Sequence, residues 1–146
     1  MEQTRPDKIR QDTKMVLVDS NIHIDFLNQD PVWLEWSKKQ LAQSRRQGLL
    51  IVNPIIYAEL SNAFDTQKDL DDYFSPDNFS RLALPWNAAF LAGRAFREYR
   101  KKGGVKTAPL PDFYIGAHAL VEGLTLLTRD AGRYKTYFPK LKLIAP

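Results

Sequence analysis

Three aspartates close short apolar runs in this chain, and their placement gives them one possible destination. Met15-Val-Leu-Val runs into Asp19, Leu124-Thr-Leu-Leu-Thr-Arg into Asp130 and, less directly, Pro109-Leu-Pro into Asp112. A fourth acid, Glu59, lies in a helix-like stretch dominated by Ile55, Ile56, Tyr57 and Leu60. In an open parallel sheet, ligands bind in the crevice beyond the carboxyl ends of the strands. Strands laid side by side would bring these acids together there. Two unit charges about 5.5 Å apart repel by roughly 3 kcal/mol at an effective dielectric near 20. Over the six pairs that four acids make, about 15–20 kcal/mol would oppose folding if all were ionised and bare. That matches the whole stability of a domain, about 5–15 kcal/mol. Either some acids take up protons or a divalent cation sits among them, and the cation is the commoner use of clustered oxygen ligands.

Each acid also has an ordinary reading. Asp19, Asp112 and Asp130 all precede helical segments, where an aspartate N-cap is worth about 1 kcal/mol. Glu59 resists that reading, because it lies inside its helix and shares a face with Ile55, Ile56, Asn62 and Ala63. The face of Asp112 continues through Ile115, Gly116 and Ala119, residues suited to close packing on a sheet. Ser20 and Thr128 are hydroxyls beside the acids; they suit a metal's water shell, a phosphate oxygen or a helix cap. Asp65, Asp69, Asp71 and Asp72 lack the glycine turn and terminal glutamate of a calcium loop and read as a solvated helix face. His23 and His118 are not paired by spacing and read as structural, although a metal-free acid–base nuclease would use them. Trp33, Trp36 and Trp86 read as core or interface rather than as a platform for nucleobases.

The elements that must position these groups alternate along the chain. Strands are expected at 15–18, 49–52, 79–84, 124–127 and 141–144. Helices are expected at 20–28, 31–47, 54–64, 66–74, 85–102, 112–122 and 130–136. Asn53-Pro54 is a helix start, an N-cap followed by proline at the first helical position, and Gly103-Gly104 is a helix stop. Strands alternating with helices imply a parallel sheet covered on both faces.

At 146 residues, 44% apolar and 26% charged, the chain reads as one globular domain. It contains no cysteine, which excludes disulfides, thiolate metal sites and cysteine nucleophiles and fits a cytoplasmic setting. Residues 1–14 are charged throughout and read as a flexible N-terminal extension ahead of a domain at 15–146; no run is long and apolar enough to span a membrane. The net charge is +4, but Arg94, Arg97, Arg100, Lys101, Lys102 and Lys106 set against Glu98 alone place +5 in one short stretch. Two readings of that stretch stand together: cations offsetting the helix dipole at its carboxyl end, and phosphate contact.

Taken with their order and separations, VLVDSN at 16–21, NPIIYAEL at 53–60, PLPDFYIGAHAL at 109–120 and LLTRD at 126–130 resemble PIN-domain ribonucleases, particularly VapC-type toxins of toxin–antitoxin modules. Tyr137-Phe138-Pro139, leading into a last strand, extends the likeness, while the polar stretch before the first strand is longer than is usual in the family. The resemblance implies a three-layer α/β/α domain with a mostly parallel five-stranded sheet. It implies Asp19, Glu59, Asp112 and Asp130 as catalytic acids, and magnesium or manganese as the metal. On that basis Asp19, Asp112 and Asp130 would hold the ion, and Glu59 would bind its water shell or a second ion, or help deprotonate the attacking water. Ser20, Thr128, Arg129, Arg100, Lys101 and Lys102 would contact RNA. It also implies a homodimer silenced by an antitoxin. A housekeeping RNA-processing nuclease and a non-catalytic PIN-like binding domain are the alternatives; a receiver-like phosphoacceptor fits poorly, lacking an acidic pair after the first strand and a lysine after the last.

Overall fold

The computed structural model describes residues 13–146, so the extension expected at 1–14 falls almost wholly outside the described residues. The branched and leucine-rich runs form the strands β1 (Lys14–Val18), β2 (Gly48–Val52), β3 (Phe79–Arg81), β4 (Thr125–Leu127) and β5 (Leu143–Ile144). Their order across the sheet is β3-β2-β1-β4-β5, and every pairing is parallel. Val16, Leu17, Val18, Ile51, Leu126 and Leu127 are buried, the pattern of strands covered on both faces.

The helices are α1 (Ser20–Leu27), α2 (Leu34–Gln47), α3 (Pro54–Leu60), α4 (Gln67–Tyr73), α5 (Trp86–Lys101), α6 (Pro111–Glu122) and α7 (Gly132–Tyr137). Parallel strands are joined by right-handed crossovers. The chain moves outward from β1 to β3 and then returns to β4 and β5, so α1–α4 cover one face and α5–α7 the other. The direction reverses between β1 and β4, which makes their carboxyl ends the switch point where such sheets bind ligands.

Local chemistry explains most helix ends. Asn53 Oδ1 accepts the Ile56 N–H at 2.9 Å with Pro54 in the first turn of α3, and Thr66 Oγ1 accepts the Asp69 N–H at 3.1 Å at the start of α4. Gly123 ends α6 in the left-handed region at φ 66°, a conformation that favours glycine. Where boundaries differ from expectation, a specific contact decides. Asp30 Oδ1 accepts the Val32 and Trp33 N–H groups, so a turn occupies 31–33 and α2 begins at Leu34. α3 stops at Leu60 and tightens into a 3-10 turn over Ser61–Ala63. Trp86 is 92% exposed and contributes nothing to the core. Of the acidic group, Asp71 accepts from the Tyr57 hydroxyl at 2.6 Å and from Arg81 at 2.8 Å; Asp65, Asp69 and Asp72 are exposed.

Gly116, in the middle of α6, permits a close approach of α7 and the residue after it to the α6 backbone. A Cβ there would stand 2.5 Å from the Phe138 ring and 3.1 Å from Cδ1 of Tyr134. The missing side chain lets α7 and the residue after it seat directly on the α6 backbone.

Both histidines are buried and structural. His23 packs among Tyr73, Phe74 and Phe79, with Nδ1 2.8 Å from the Tyr73 hydroxyl, and burial lowers its pKa to about 3. His118 Nδ1 accepts from Asn53 Nδ2 at 3.0 Å, and burial lowers its pKa to about 4. A folded pKa below the unfolded value near 6.5 means that the unfolded chain binds protons first, so stability falls as pH drops through 6.5. Each histidine removes about 1.4 kcal/mol per pH unit in that window. Urea unfolding is therefore expected to show about 2–3 kcal/mol less stability at pH 5.5 than at pH 7. The raised carboxyls described below, Asp19 and Glu59, act in the opposite sense; a background carrying both Asp19→Asn and Glu59→Gln removes them. Stability that is flat over this range in that background would mean the imidazoles are protonated in the fold.

Candidate active site

Asp19 follows β1 and is 4% exposed. Its backbone N–H continues the sheet by donating to the Leu127 carbonyl at 2.9 Å, which fixes the side chain at the β1–β4 switch. Oδ1 accepts the Ser20 N–H at 2.8 Å, so Asp19 does cap α1. Oδ2 accepts two hydroxyls, from Thr128 at 2.8 Å and from Tyr134 at 2.9 Å. Burial pushes the Asp19 carboxyl above its usual range, the two hydroxyls oppose that, and the Asp112 charge adds to it.

Asp112 is the second residue of α6, and the cap position belongs to Leu110. The capping reading therefore fails here. Asp112 Oδ1 lies 3.4 Å from the same Tyr134 hydroxyl, and Oδ2 accepts from Arg133 Nη1 at 3.1 Å. Glu59 arrives from α3, which packs against α6. Its Oε1 is buried and has no hydrogen-bond partner among the described residues. Its carboxyl is raised by burial first, lowered by a Ser20 hydrogen bond, and raised again by the charges of Asp19 and Asp112. Three of the four expected acids thus share one electrostatic environment.

Asp130 stands differently. It is exposed at the rim, and the cap position of α7 is Ala131. Its backbone is the anchored part: its N–H donates to Thr128 Oγ1 at 3.2 Å. Thr128 Oγ1 also accepts from Asn21 Nδ2 at 3.2 Å, and Asn21 Oδ1 accepts the Arg129 N–H at 3.1 Å. These bonds staple the start of α1 to the segment after β4.

Arg129 is oriented away from a free role. Nε and Nη2 donate to Asp25 at 2.8 and 2.9 Å, its guanidinium lies 5.5 Å from the Trp33 ring, and Asp25 is 1% exposed. Arg100 wraps the loop after α5 by donating to the Lys106 carbonyl at 2.8 Å, Lys101 lies 3.7 Å from Glu98, and Lys102 lies over the Tyr137 ring. The carboxyl end of α5 nonetheless borders the acids, since Tyr99 and Tyr137 both meet Phe113, the neighbour of Asp112.

Tyr134, Asn21, Asp25 and Arg133 escaped the sequence reading. Tyr134 lies four residues after Asp130 and Asp25 four after Asn21, so a helical spacing from the motif residues was the available signal.

The donor set fits a divalent cation. Hard cations take carboxylate oxygens, and a buried, unpartnered Glu59 oxygen beside two further acids is a group that a cation would satisfy. No three His, Cys, Asp or Glu side chains among the described residues already stand at ligating geometry. The Tyr134 hydroxyl lies between Asp19 and Asp112 instead.

A parallel α/β domain with acids at its switch point defines the class, and the comparisons with known proteins define the family. The PIN domain model matches residues 16–139, and the chain belongs to that family. No curated protein sequence matches it significantly. Among solved structures, VapBC2 from Rickettsia felis bound to a DNA fragment from its promoter has a TM-score of 0.68 at 19% identity, covering 90% of this chain and 98% of that one. VapBC-1 from nontypeable Haemophilus influenzae has a TM-score of 0.68 at 20% identity, with 90% and 97% covered. Mycobacterium tuberculosis VapC20, described as a sarcin–ricin loop cleaving toxin, has a TM-score of 0.59 at 12% identity, with 83% and 94% covered. At these identities the likeness establishes the shared fold.

Proposed function

We propose that this chain is a ribonuclease that depends on magnesium or manganese and serves as the toxin of a toxin–antitoxin pair. The observation that carries the reading is the convergence of Asp19, Glu59 and Asp112 at the β1–β4 switch, with Glu59 Oε1 buried and unpartnered. Membership of the PIN family supports the nuclease chemistry, and structural neighbours solved as VapBC complexes support the toxin role.

In this reading Asp19 and Asp112 hold the ion with Asp130 at the rim, and Glu59 meets the ion's water shell. Bound there, the cation supplies charge relief on the phosphoryl oxygens and a more acidic water. Ser20 holds the Glu59 carboxylate, which is placed to take a proton from the attacking water. That water adds to phosphorus, the bond to the leaving oxygen breaks, and the leaving oxygen takes up a proton. Arg133, beside Asp112, together with Arg100, Lys101 and Lys102 at the neighbouring end of α5, receives the RNA backbone. Such contacts give affinity and not sequence choice.

No helix among the described residues is long and apolar enough to cross a membrane, and the toxin would act on cytoplasmic RNA. Trp86 and Phe90, one turn apart on α5, are 92% and 65% exposed. Apolar surface of that kind suits a second copy of the chain or an antitoxin.

The test is cleavage of RNA by the purified chain with manganese, with chelator, and with Asp112→Asn. Chelator is expected to abolish cleavage, manganese to restore it, and the variant to lose at least about a hundredfold. Equal metal-dependent cleavage by parent and variant would end the assignment of Asp112. Cleavage that resists chelation would end the metal reading altogether. Expression alone is expected to arrest growth and Asp19→Ala to relieve the arrest, which separates the toxin from a housekeeping nuclease.

A further inference from the structure

We propose that the Tyr134 hydroxyl is a displaceable plug in the acidic site: it occupies the Asp19 oxygen on the Asp112 side, between the two acids, and yields that oxygen when a divalent cation bridges them. The inference rests on the cation reading given above. A carboxylate oxygen offers two lone pairs. Asp19 Oδ2 already accepts from both Thr128 and Tyr134, so it has no vacancy for a third partner. Oδ2 is also the oxygen joined to Asp112 through the phenol, since Tyr134 lies 2.9 Å from Asp19 and 3.4 Å from Asp112 Oδ1. Asp19 Oδ1 keeps one lone pair beside the Ser20 N–H, but Oδ2 is the oxygen linked toward Asp112, so a cation bridging the two acids by that path enters where the hydroxyl stands.

Of the two hydroxyls, Thr128 cannot leave. Its own lone pairs are filled by Asn21 Nδ2 and the Asp130 N–H, which aims its single proton at Asp19. Turning that proton away would reach only the Asp130 carbonyl, at 3.4 Å. Tyr134 is not held in this way, and its phenol has Asp112 as a second acceptor already in reach. Until a cation arrives, the phenol dipole separates two like charges. After loading, its donation to Asp19 is redundant.

The test compares manganese binding by the full chain and by Tyr134→Phe, using calorimetry, with melting of each protein in chelator and in saturating manganese. The variant is expected to bind manganese roughly tenfold tighter, because no hydrogen bond has to be given up. It should melt lower than the parent in chelator, with the gap closing in manganese. A residue that only braces the site would weaken binding when removed, so equal or weaker affinity in the variant overturns the inference. Should the variant not fold, a manganese-soaked crystal of the parent decides. The separation between the Tyr134 hydroxyl and Asp19 Oδ2 is expected to open beyond about 3.5 Å; an intact bond with manganese on Asp19 overturns the inference. A parent that takes up no manganese by calorimetry removes the cation reading as well.

Discussion

Asp19→Asn is expected to lower metal-dependent RNA cleavage by about a thousandfold while changing stability in chelator only modestly, because relief of a buried charge offsets the hydroxyl bonds from Thr128 and Tyr134 that an amide nitrogen cannot accept. The substitution keeps the shape of the side chain, and the amide oxygen can still accept the Ser20 N–H that starts α1. What it removes is a charge and the acceptor of the Thr128 and Tyr134 hydroxyls. At neutral pH that charge works against the fold, because burial and Asp112 both push the Asp19 carboxyl upward. A raised folded pKa means that the native state binds the proton more readily than the unfolded chain, so the ionised form is a liability. The same charge is what a cation needs, and an amide is a poor substitute for a carboxylate toward magnesium or manganese. Single-turnover cleavage in manganese and thermal melting in chelator would measure the two halves. Cleavage within tenfold of the parent would remove Asp19 from the metal set, and a large fall in melting temperature would show that its role is structural.

Arg129→Ala is expected to cost about 3–5 kcal/mol of stability, the effect of leaving a buried charge without its partner. Asp25 is 1% exposed; it receives Ser37 at 2.8 Å and both arms of the Arg129 fork. With the guanidinium gone, the Ser37 hydroxyl is the one side-chain donor among the described residues that still bonds that carboxylate. Urea unfolding of Arg129→Ala, of Asp25→Ala and of the double variant forms the appropriate cycle, and the double variant should recover a substantial part of the loss. A cost below about 1 kcal/mol would mean that the pair contributes no more than an exposed one. This commitment to Asp25 also weighs against Arg129 as the principal RNA contact and moves that role toward Arg133 and the end of α5.

The order of strands and helices was legible because it rests on local rules. Apolar runs ending at Asp19 and Asp130, the Asn53-Pro54 start and the glycine stops all correspond to elements in the fold. The same local rules misjudged two of the acids. They offered caps at Asp112 and Asp130, whereas the caps are Leu110 and Ala131. Pro111 takes the first helical position and moves Asp112 inward, where its carboxylate faces Asp19 and Glu59 across the rim. Glu59 was recognised because a glutamate on an apolar helix face conflicts with simple patterning. Tyr134 conflicted with nothing, since a tyrosine in a short C-terminal helix is an ordinary core residue. Its polar end acquires meaning only once β1, α6 and α7 are assembled. Asp25 was hidden in the same way, its partner lying 104 residues further along the chain.

The bare backbone at Gly116 sets a tolerance for the chemistry from behind. How far the phenol of Tyr134 extends depends on how deeply its ring settles, and that depth is governed by a position carrying no functional group. Even one added methyl would act as a shim beneath the ring, shifting its hydroxyl relative to both carboxylates. The calibration of this centre is therefore written partly into a spot that a search for reactive side chains would pass over.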